Sequence, residues 1–339
     1  MSDAVVVPVG DLIAEVAQVF VAARTSPDNA KAVADALVHA EVDAQKGHGL
    51  SRIESYAAQS QSGKVDGFAV PSMEAKRPGG LMVDAAHGFA YPAINLAIEA
   101  LPAAAEKTGI AAAGVCRSHH CGAMGRHVER LADSGLVAIA FANTPSAMAP
   151  WGGTKRLYGT NPIAFAAPQR DAPPVVVDLA LSQVARGKIL TAAQQGEPIP
   201  QGWATDAKGA PTTDAEAALA GTLMPIGGAK GAALALMVEV LSVALTGSNF
   251  AFEASSFFDG EGAPPGVGQL LIAIDPGAFS GRDRFLDRMT LMAEMIADDP
   301  GTRVPGARRL ALRAAAARDG IAVAPGMLAK IKALAGSRD

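Results

Sequence analysis

The chain has 339 residues, 50% hydrophobic, 18% charged and 5% aromatic, enough for about two ordinary domains, or one large one, with a well-buried core. A net charge of −4 without a basic block argues against a dedicated nucleic-acid binder, and 36 Gly and 22 Pro scattered without a period rule out a collagen-like chain and argue against long disorder. Two cysteines, Cys116 and Cys121, cannot make a disulfide framework and read as reduced thiols of a cytoplasmic protein.

The segment Met1 to Asp11 has no basic n-region and carries Asp3, so no signal peptide is expected. Leu12, Val16, Val19 and Phe20 recur at helical spacing. Ser26, Pro27 and Asp28 then start a second helix, predicted to end at Lys46 with Gly47 as its C-terminal cap. A third runs from Ser51 to Ser62, closed by Gly63. Short apolar runs predict strands at Leu81–Asp84, Ile110–Val115, Leu136–Ala142, Ile163–Ala167 and Val175–Asp178. Helices are predicted between some of them, at Pro92–Lys107 and Ala123–Asp133, an α/β alternation. Asn143–Asn161 is long for a plain connection and is a candidate for adenosine contacts. After a loop from Glu197 to Leu223, the turn Gly227-Gly228-Ala229-Lys230-Gly231 opens a helix, Ala232 to Leu245. That stretch is broken by Glu239 and is too short to span a bilayer. A strand at Leu271–Ile274 and helices at Arg282–Ala297, Arg308–Arg318 and Pro325–Leu334 complete the chain. The Ala-rich ends match in composition, which suggests that they pack together.

No Gly-x-Gly-x-x-Gly follows a strand and no P-loop is present, so neither a Rossmann domain nor a P-loop is supported. Gly122 to Gly125 opens a helix, and reads either as a tight strand-to-helix turn or as amides placed to meet an anion. Gly47-His48-Gly49-Leu50-Ser51-Arg52 is more informative. An imidazole can act as general acid to a carbonyl oxygen, and a guanidinium forks onto a carboxylate. Together His48 and Arg52 would suit a 2-oxo acid; a C-capping histidine beside a surface arginine is the simpler alternative. Ser118-His119-His120-Cys121-Gly122 sits at a strand end, where α/β proteins place ligands. Three adjacent side chains rarely converge on one ion, so no metal is expected and substrate contact by one imidazole is preferred. His127 reads as structural. Asp178 either caps a turn or orients a histidine. Lys230 either contacts a cofactor phosphate or is simply solvated.

In order, these motifs resemble the type-2 malate/L-lactate dehydrogenase family, which is distinct from the Rossmann-type enzymes. The resemblance adds Met148-Ala149-Pro150-Trp151-Gly152-Gly153, Gly159-Thr160-Asn161-Pro162, Val177-Asp178-Leu179-Ala180, Pro225 to Gly231 and Pro305-Gly306, and covers nearly the whole chain. It implies a non-Rossmann NAD(P)-binding α/β fold with a largely antiparallel central sheet. It further implies a discontinuous helical domain (1–75 and 280–339) around a central cofactor- and substrate-binding region (76–279), and a homodimer with the active site near the subunit contact. By position, His48 matches the proton donor and Asp178 the acid paired with it. Arg52, His120 and Thr160 match substrate contacts. Asp178, Leu179, Ala180, Ser182, Lys230, Gly306 and Arg308 match contacts to NADPH or NADH. Three positions depart from the pattern: Gly47 stands where several relatives carry Ser, Ala229 where some carry a large aromatic, and Ala307-Arg308 where an acid or histidine is more usual.

The expected activity is hydride transfer to C2 of a small carboxylate. The glycine turns suggest a roomy, aromatic-poor pocket, which favours a cyclic imino acid of the Δ1-piperideine-2-carboxylate or Δ1-pyrroline-2-carboxylate type. A 2-hydroxy acid of the malate, lactate, sulfolactate or ureidoglycolate type is the alternative. A nucleotide-binding module without catalysis is the alternative of another class. Neither nucleic acid nor membrane is expected as a partner.

Overall fold

The structure, a computed structural model, describes residues 4–336, so the Met1–Asp3 part of the leader reading lies outside the described residues. The first half runs β1 (Val5–Val7), α1 (Val9–Ala22), α2 (Pro27–Val42), α3 (Ile53–Ser62), β2 (Ser72–Arg77), β3 (Gly80–Asp84), α4 (Ala90–Thr108), β4 (Ile110–Ser118), α5 (Met124–Asp133), β5 (Val137–Ala142), β6 (Ile163–Ala167) and β7 (Val175–Leu179). The second half runs α6 (Arg186–Gln195), β8 (Ala204–Thr205), β9 (Pro211–Thr212), α7 (Ala215–Ala220), β10 (Thr222–Leu223), α8 (Ala229–Glu239), β11 (Val267–Ile274), α9 (Arg282–Ala297), α10 (Ala307–Asp319), β12 (Ile321–Val323) and α11 (Pro325–Leu334).

Among the described residues, seven strands form the main sheet in the order β2-β3-β4-β11-β5-β6-β7. Only the β3–β4 pair in it is parallel; the others are antiparallel. The α/β fold with a largely antiparallel sheet is therefore as expected. Many inward positions of its middle strands are small: Ala111, Ala113, Ala138, Ala140, Ala164 and Ala166 pack in one core with Ile94, Leu101, Val128 and Leu131 of α4 and α5. Small strand residues let bulky helix residues seat closely, which keeps the layer at interior density. A second core joins α1, α2 and α3 to Val323 and Ile331 from the far end of the chain. There β1 pairs antiparallel with β12, Val5 opposite Val323. A third core gathers Met148, Leu181, Ile189, Leu223 and Val238.

Five local readings need correction, the first being the loop expected from Glu197 to Leu223, which carries β8, β9, α7 and β10. α2 ends at Val42 rather than Lys46, and Gly47 is not its cap. Ala44 takes the left-handed turn (φ 59°) instead, because Asp43 is pulled out to bond Arg313 at 2.7 Å. Residues 46–52 form two short 3-10 turns. β2 went unseen because all its residues are exposed and most are polar. α6 went unseen because it buries only Ile189. α8 gives way after Glu239 to a π-helical turn, Val240–Ala244.

Candidate active site

The loop after α2 is tightly braced. The Glu41 carboxylate accepts from Leu50 N at 3.1 Å, and it lies so close to Gly49 that a Cβ there would meet its Oε2 at 2.3 Å. Gly47 has no such constraint, since nothing lies within 4 Å of an added Cβ, so sterics do not exclude a serine there. Arg52 Nε donates to the Gly47 carbonyl at 2.7 Å, and its guanidinium carbon sits 4.6 Å from the Phe258 ring centroid, a cation–π contact. Its Nη1 is buried and has no partner.

The structure brings His48, Arg52 and His120 together. The His48 ring stacks on His120 with centroids 5.2 Å apart. His120 Nδ1 is hydrogen-bonded to the Tyr56 hydroxyl. His119 points elsewhere: its Nε2 bonds Gln59 Oε1 at 2.9 Å, and its carbonyl accepts from Gln269 of β11 at 3.0 Å. The two imidazoles thus diverge. Among the described residues no cluster of three or more His, Cys, Asp or Glu is placed to hold a metal. Phe257 packs on both rings, with centroids at 5.3 and 5.1 Å.

α3 holds this aromatic wall in place. Gln59 Nε2 donates to the Phe257 carbonyl at 2.9 Å, and the buried Lys64 donates to the Ser256 carbonyl at 2.7 Å while pairing with Asp259 at 3.2 Å. Tyr56 and Phe257 therefore back the imidazoles and Phe258 lies against Arg52, which corrects the expectation of an aromatic-poor site. Glycine turns can be read along a sequence, but aromatics delivered from residue 56 and from residues 257–258 cannot. Tyr56 did carry a weak signal, lying one helical turn beyond Arg52 on α3.

Asp178, at the end of β7, lies close enough to raise the His48 pKa, yet no hydrogen bond joins the two among the described residues. Its Oδ2 instead accepts from Gly125 N at 2.8 Å and Gln45 Nε2 at 3.2 Å. This caps α5 and uses the Gly125 amide, which fits the tight-turn reading of Gly122 to Gly125 rather than the anion reading. Gln45, which no sequence motif marked, is the residue that ties Asp178 to the His48 loop. His48 Nδ1 and Gln45 Oε1 are both buried without a partner.

Burial pushes the His48 pKa down to about 4, helped by repulsion from Arg52 and opposed by Asp178. Burial, with Arg52 and Lys64, takes His119 to about 3. His120 is lowered by burial and by Arg52, with the other two imidazoles adding to the effect. The Tyr56 hydroxyl is pushed up to about 12, chiefly by burial. At neutral pH the site therefore offers neutral imidazoles, a protonated phenol and one unspent guanidinium edge.

Thr160 belongs to a neighbouring cluster. Its amide donates to Thr144 Oγ1 at 2.9 Å, and its carbonyl accepts from Leu181 N at 2.8 Å. The buried Asn161 that follows has a φ of 40°. It is held by Glu239, an acid on α8 that sequence reasoning missed, at 2.8 Å. Leu181 O also accepts from Ile226 N at 2.8 Å, so the 178–182 stretch runs beside the 225–228 turn. Trp151 lies against Gly228 there, and Lys230 beyond it is exposed. Gly306, at a φ of 92°, caps the start of α10 against Val176. Arg308 is exposed. Arg309 donates to the Val176 carbonyl at 3.2 Å and keeps a buried, unpaired Nη1. Lys230 and Arg308 are thus solvent-facing cations at the starts of α8 and α10.

A family model described as malate/L-lactate dehydrogenase matches residues 7–332. The chain is 52% identical over 284 residues to (2R)-3-sulfolactate dehydrogenase (NADP(+)) of Chromohalobacter salexigens, covering 84% of each chain. It is 42% identical over 315 residues to the Delta(1)-pyrroline-2-carboxylate/Delta(1)-piperideine-2-carboxylate reductase of Pseudomonas putida, covering 90% of this chain and 91% of that one. Among solved structures, it is similar to delta1-piperideine-2-carboxylate reductase from Pseudomonas syringae pvar. tomato, with a TM-score of 0.92, 38% identity and coverage of 97% of this chain and 99% of that one.

Proposed function

This chain belongs to the malate/L-lactate dehydrogenase family and is an NAD(P)-dependent dehydrogenase or reductase; from that premise we propose that it interconverts a small 2-hydroxy acid and its 2-oxo acid, of the sulfolactate type, with NADP(H). The observation that carries this reading is the 52% identity to a sulfolactate dehydrogenase that uses NADP(+), against 42% for the imino acid reductase. The cyclic-imine expectation rested on an aromatic-poor pocket, and Tyr56, Phe257 and Phe258 remove that ground. The 2-hydroxy acid alternative therefore replaces it as the main reading.

In the oxidative direction Arg52 holds the substrate carboxylate with its free guanidinium edge. Neutral His48 accepts the hydroxyl proton as the C2–H bond breaks and its electron pair leaves as hydride. When bound, the nicotinamide takes or returns that hydride. The carboxylate neutralises Arg52 and so removes a repulsion that depresses His48, which lets the imidazole keep the proton. In reduction the same proton returns to the oxygen. The Tyr56–His120 pair stands beside it as a second hydrogen-bond donor, and Asp178 stabilises the imidazolium through space. Acid–base catalysis of this kind contributes on the order of 10² to 10⁴-fold. Asp178 to Ser182, Lys230, Gly306 and Arg308 serve the cofactor in this reading.

We take residues 1–75 and 280–339 as one discontinuous helical unit around 76–279, a division supported by the β1–β12 pair. We also take the protein as a homodimer. Leu236, Met237, Val240 and Leu245, 50–63% exposed on and after α8, supply an apolar face for a second copy. Sedimentation at the mass of a single chain would overturn this assignment.

Initial rates with sulfolactate, malate and lactate under NADP+ and NAD+, and with the two cyclic imines under NADPH, test the substrate. Sulfolactate with NADP+ is expected to give the highest kcat/KM. Turnover of the imines alone would sink the reading. Cofactor binding without turnover of any substrate would favour the catalytically inactive module.

A further inference from the structure

A cavity of about 280 Å³ opens between α2, α4 and α5, near the lower end of the ~300–1,000 Å³ common for small-molecule sites. It is separate from the centre described above because α5 divides its faces. Gly125 and Glu129 look toward Asp178 and α10, whereas Arg126, His127 and Arg130 line the cavity.

The cavity is cationic on balance. Lys31, Arg126 and Arg130 stand against Asp28 and Asp35. Arg126 is paired with Asp35 at 3.3 Å, and Asp35 is shared with His39. Arg130 and Lys31 form no ion pair among the described residues; Arg130 Nη1 donates only to the Asn95 carboxamide oxygen. Burial and the neighbouring Arg126 make holding the Arg130 charge costly, a cost that an arriving anion would relieve.

One lining side chain is more than nine-tenths buried and keeps an unpartnered polar atom. His127 is 7% exposed, and its Nδ1 is unbonded. His127 Nε2 donates to the Cys121 carbonyl at 2.8 Å. Burial takes the ring's pKa down to about 4, so it is neutral at pH 7 and Nδ1 is a bare acceptor. A buried acceptor without a donor is costly, so a fitting ligand brings a hydroxyl along with its negative charge.

We propose that this cavity binds a small hydroxylated oxyanion of the polyol-phosphate kind, with its phosphate on Arg130 and Lys31 and its hydroxyl on His127 Nδ1. The proposal does not depend on the family reaction, since none of these residues takes part in it.

Calorimetric titration of the full chain with glycerol 3-phosphate and with inorganic phosphate, each with and without saturating NADPH, tests it. Glycerol 3-phosphate is expected to bind about tenfold tighter than inorganic phosphate, because it adds the hydroxyl. Arg130→Gln is expected to weaken both ligands by about tenfold or more. Lys31→Gln, an exposed position that leaves the fold alone, is expected to weaken both by a smaller factor. Absence of binding at millimolar concentration, equal affinity for the two probes, indifference to both substitutions, or displacement by NADPH would each overturn the proposal.

Discussion

The Arg52 guanidinium depresses His48 only until substrate binds. In the free protein its charge, after burial, helps hold the imidazole near pKa 4, so the ring is a ready base at neutral pH. A bound carboxylate cancels that charge and favours the imidazolium. Arg52→Gln is therefore expected to raise the His48 pKa toward 6.5 in the free protein and to raise KM more than it lowers kcat. Asp178→Asn, which removes the one raising influence, should lower that pKa further. Ring-proton NMR titration reads both shifts; a His48 pKa unmoved by Arg52→Gln would contradict this account. At this scale the sequence was legible where chemistry sits in a contiguous motif. His48 and Arg52 share one hexapeptide, and His120 marks a strand end. It was illegible where a side chain arrives by tertiary packing. Phe257 and Phe258 reach the site through bonds from Gln59 and Lys64, and Gln45 matters only because Asp178 lies beside it.

Among the elements, α10 is the clamp on the catalytic loop. Arg313 bonds both oxygens of Asp43 at 2.7 Å and both of Glu129 at 2.8 Å. The two acid side chains are only 3% and 11% exposed, so they depend on this one guanidinium. Arg313→Leu would strand two carboxylates, at a cost of about 3–5 kcal/mol, and would free Asp43 so that α2 could run on toward His48. Urea denaturation should show the loss, with kcat falling alongside it; a change below about 1 kcal/mol would show the clamp to be a solvated surface pair. The same contact explains why the end of α2 was unreadable. Helical propensity carries the helix to Lys46, and the competing bond comes from a residue 270 positions away. The strands of the sheet interior were readable because their apolar character is local, whereas β2 and α6 bury too little to leave a pattern.

For the whole molecule, the buried histidines make stability depend on acid. His119 and His127 fold with pKa values of about 3 and about 4, below the 6.5 of an exposed ring. Their folded pKa values are depressed, so below pH 6.5 the unfolded chain binds protons that the native state refuses. Stability is full above that pH and falls as pH drops toward 4, by about 1.4 kcal/mol per pH unit for each such group. Melting temperatures are expected to be flat from pH 7 to 8 and to decline steadily below 6.5. His119→Gln should flatten part of that decline, and a decline identical to that of the unaltered protein would rule His119 out as a cause. The meeting of the chain ends has a consequence in time. The first helices emerge early in synthesis, but β12, α11 and the Arg313 that steadies the His48 loop follow roughly 300 residues later, on the order of tens of seconds at ordinary ribosomal rates. Through that interval the amino-terminal helices wait with an open flank, so this is the segment for which a chaperone held at the ribosome would matter most.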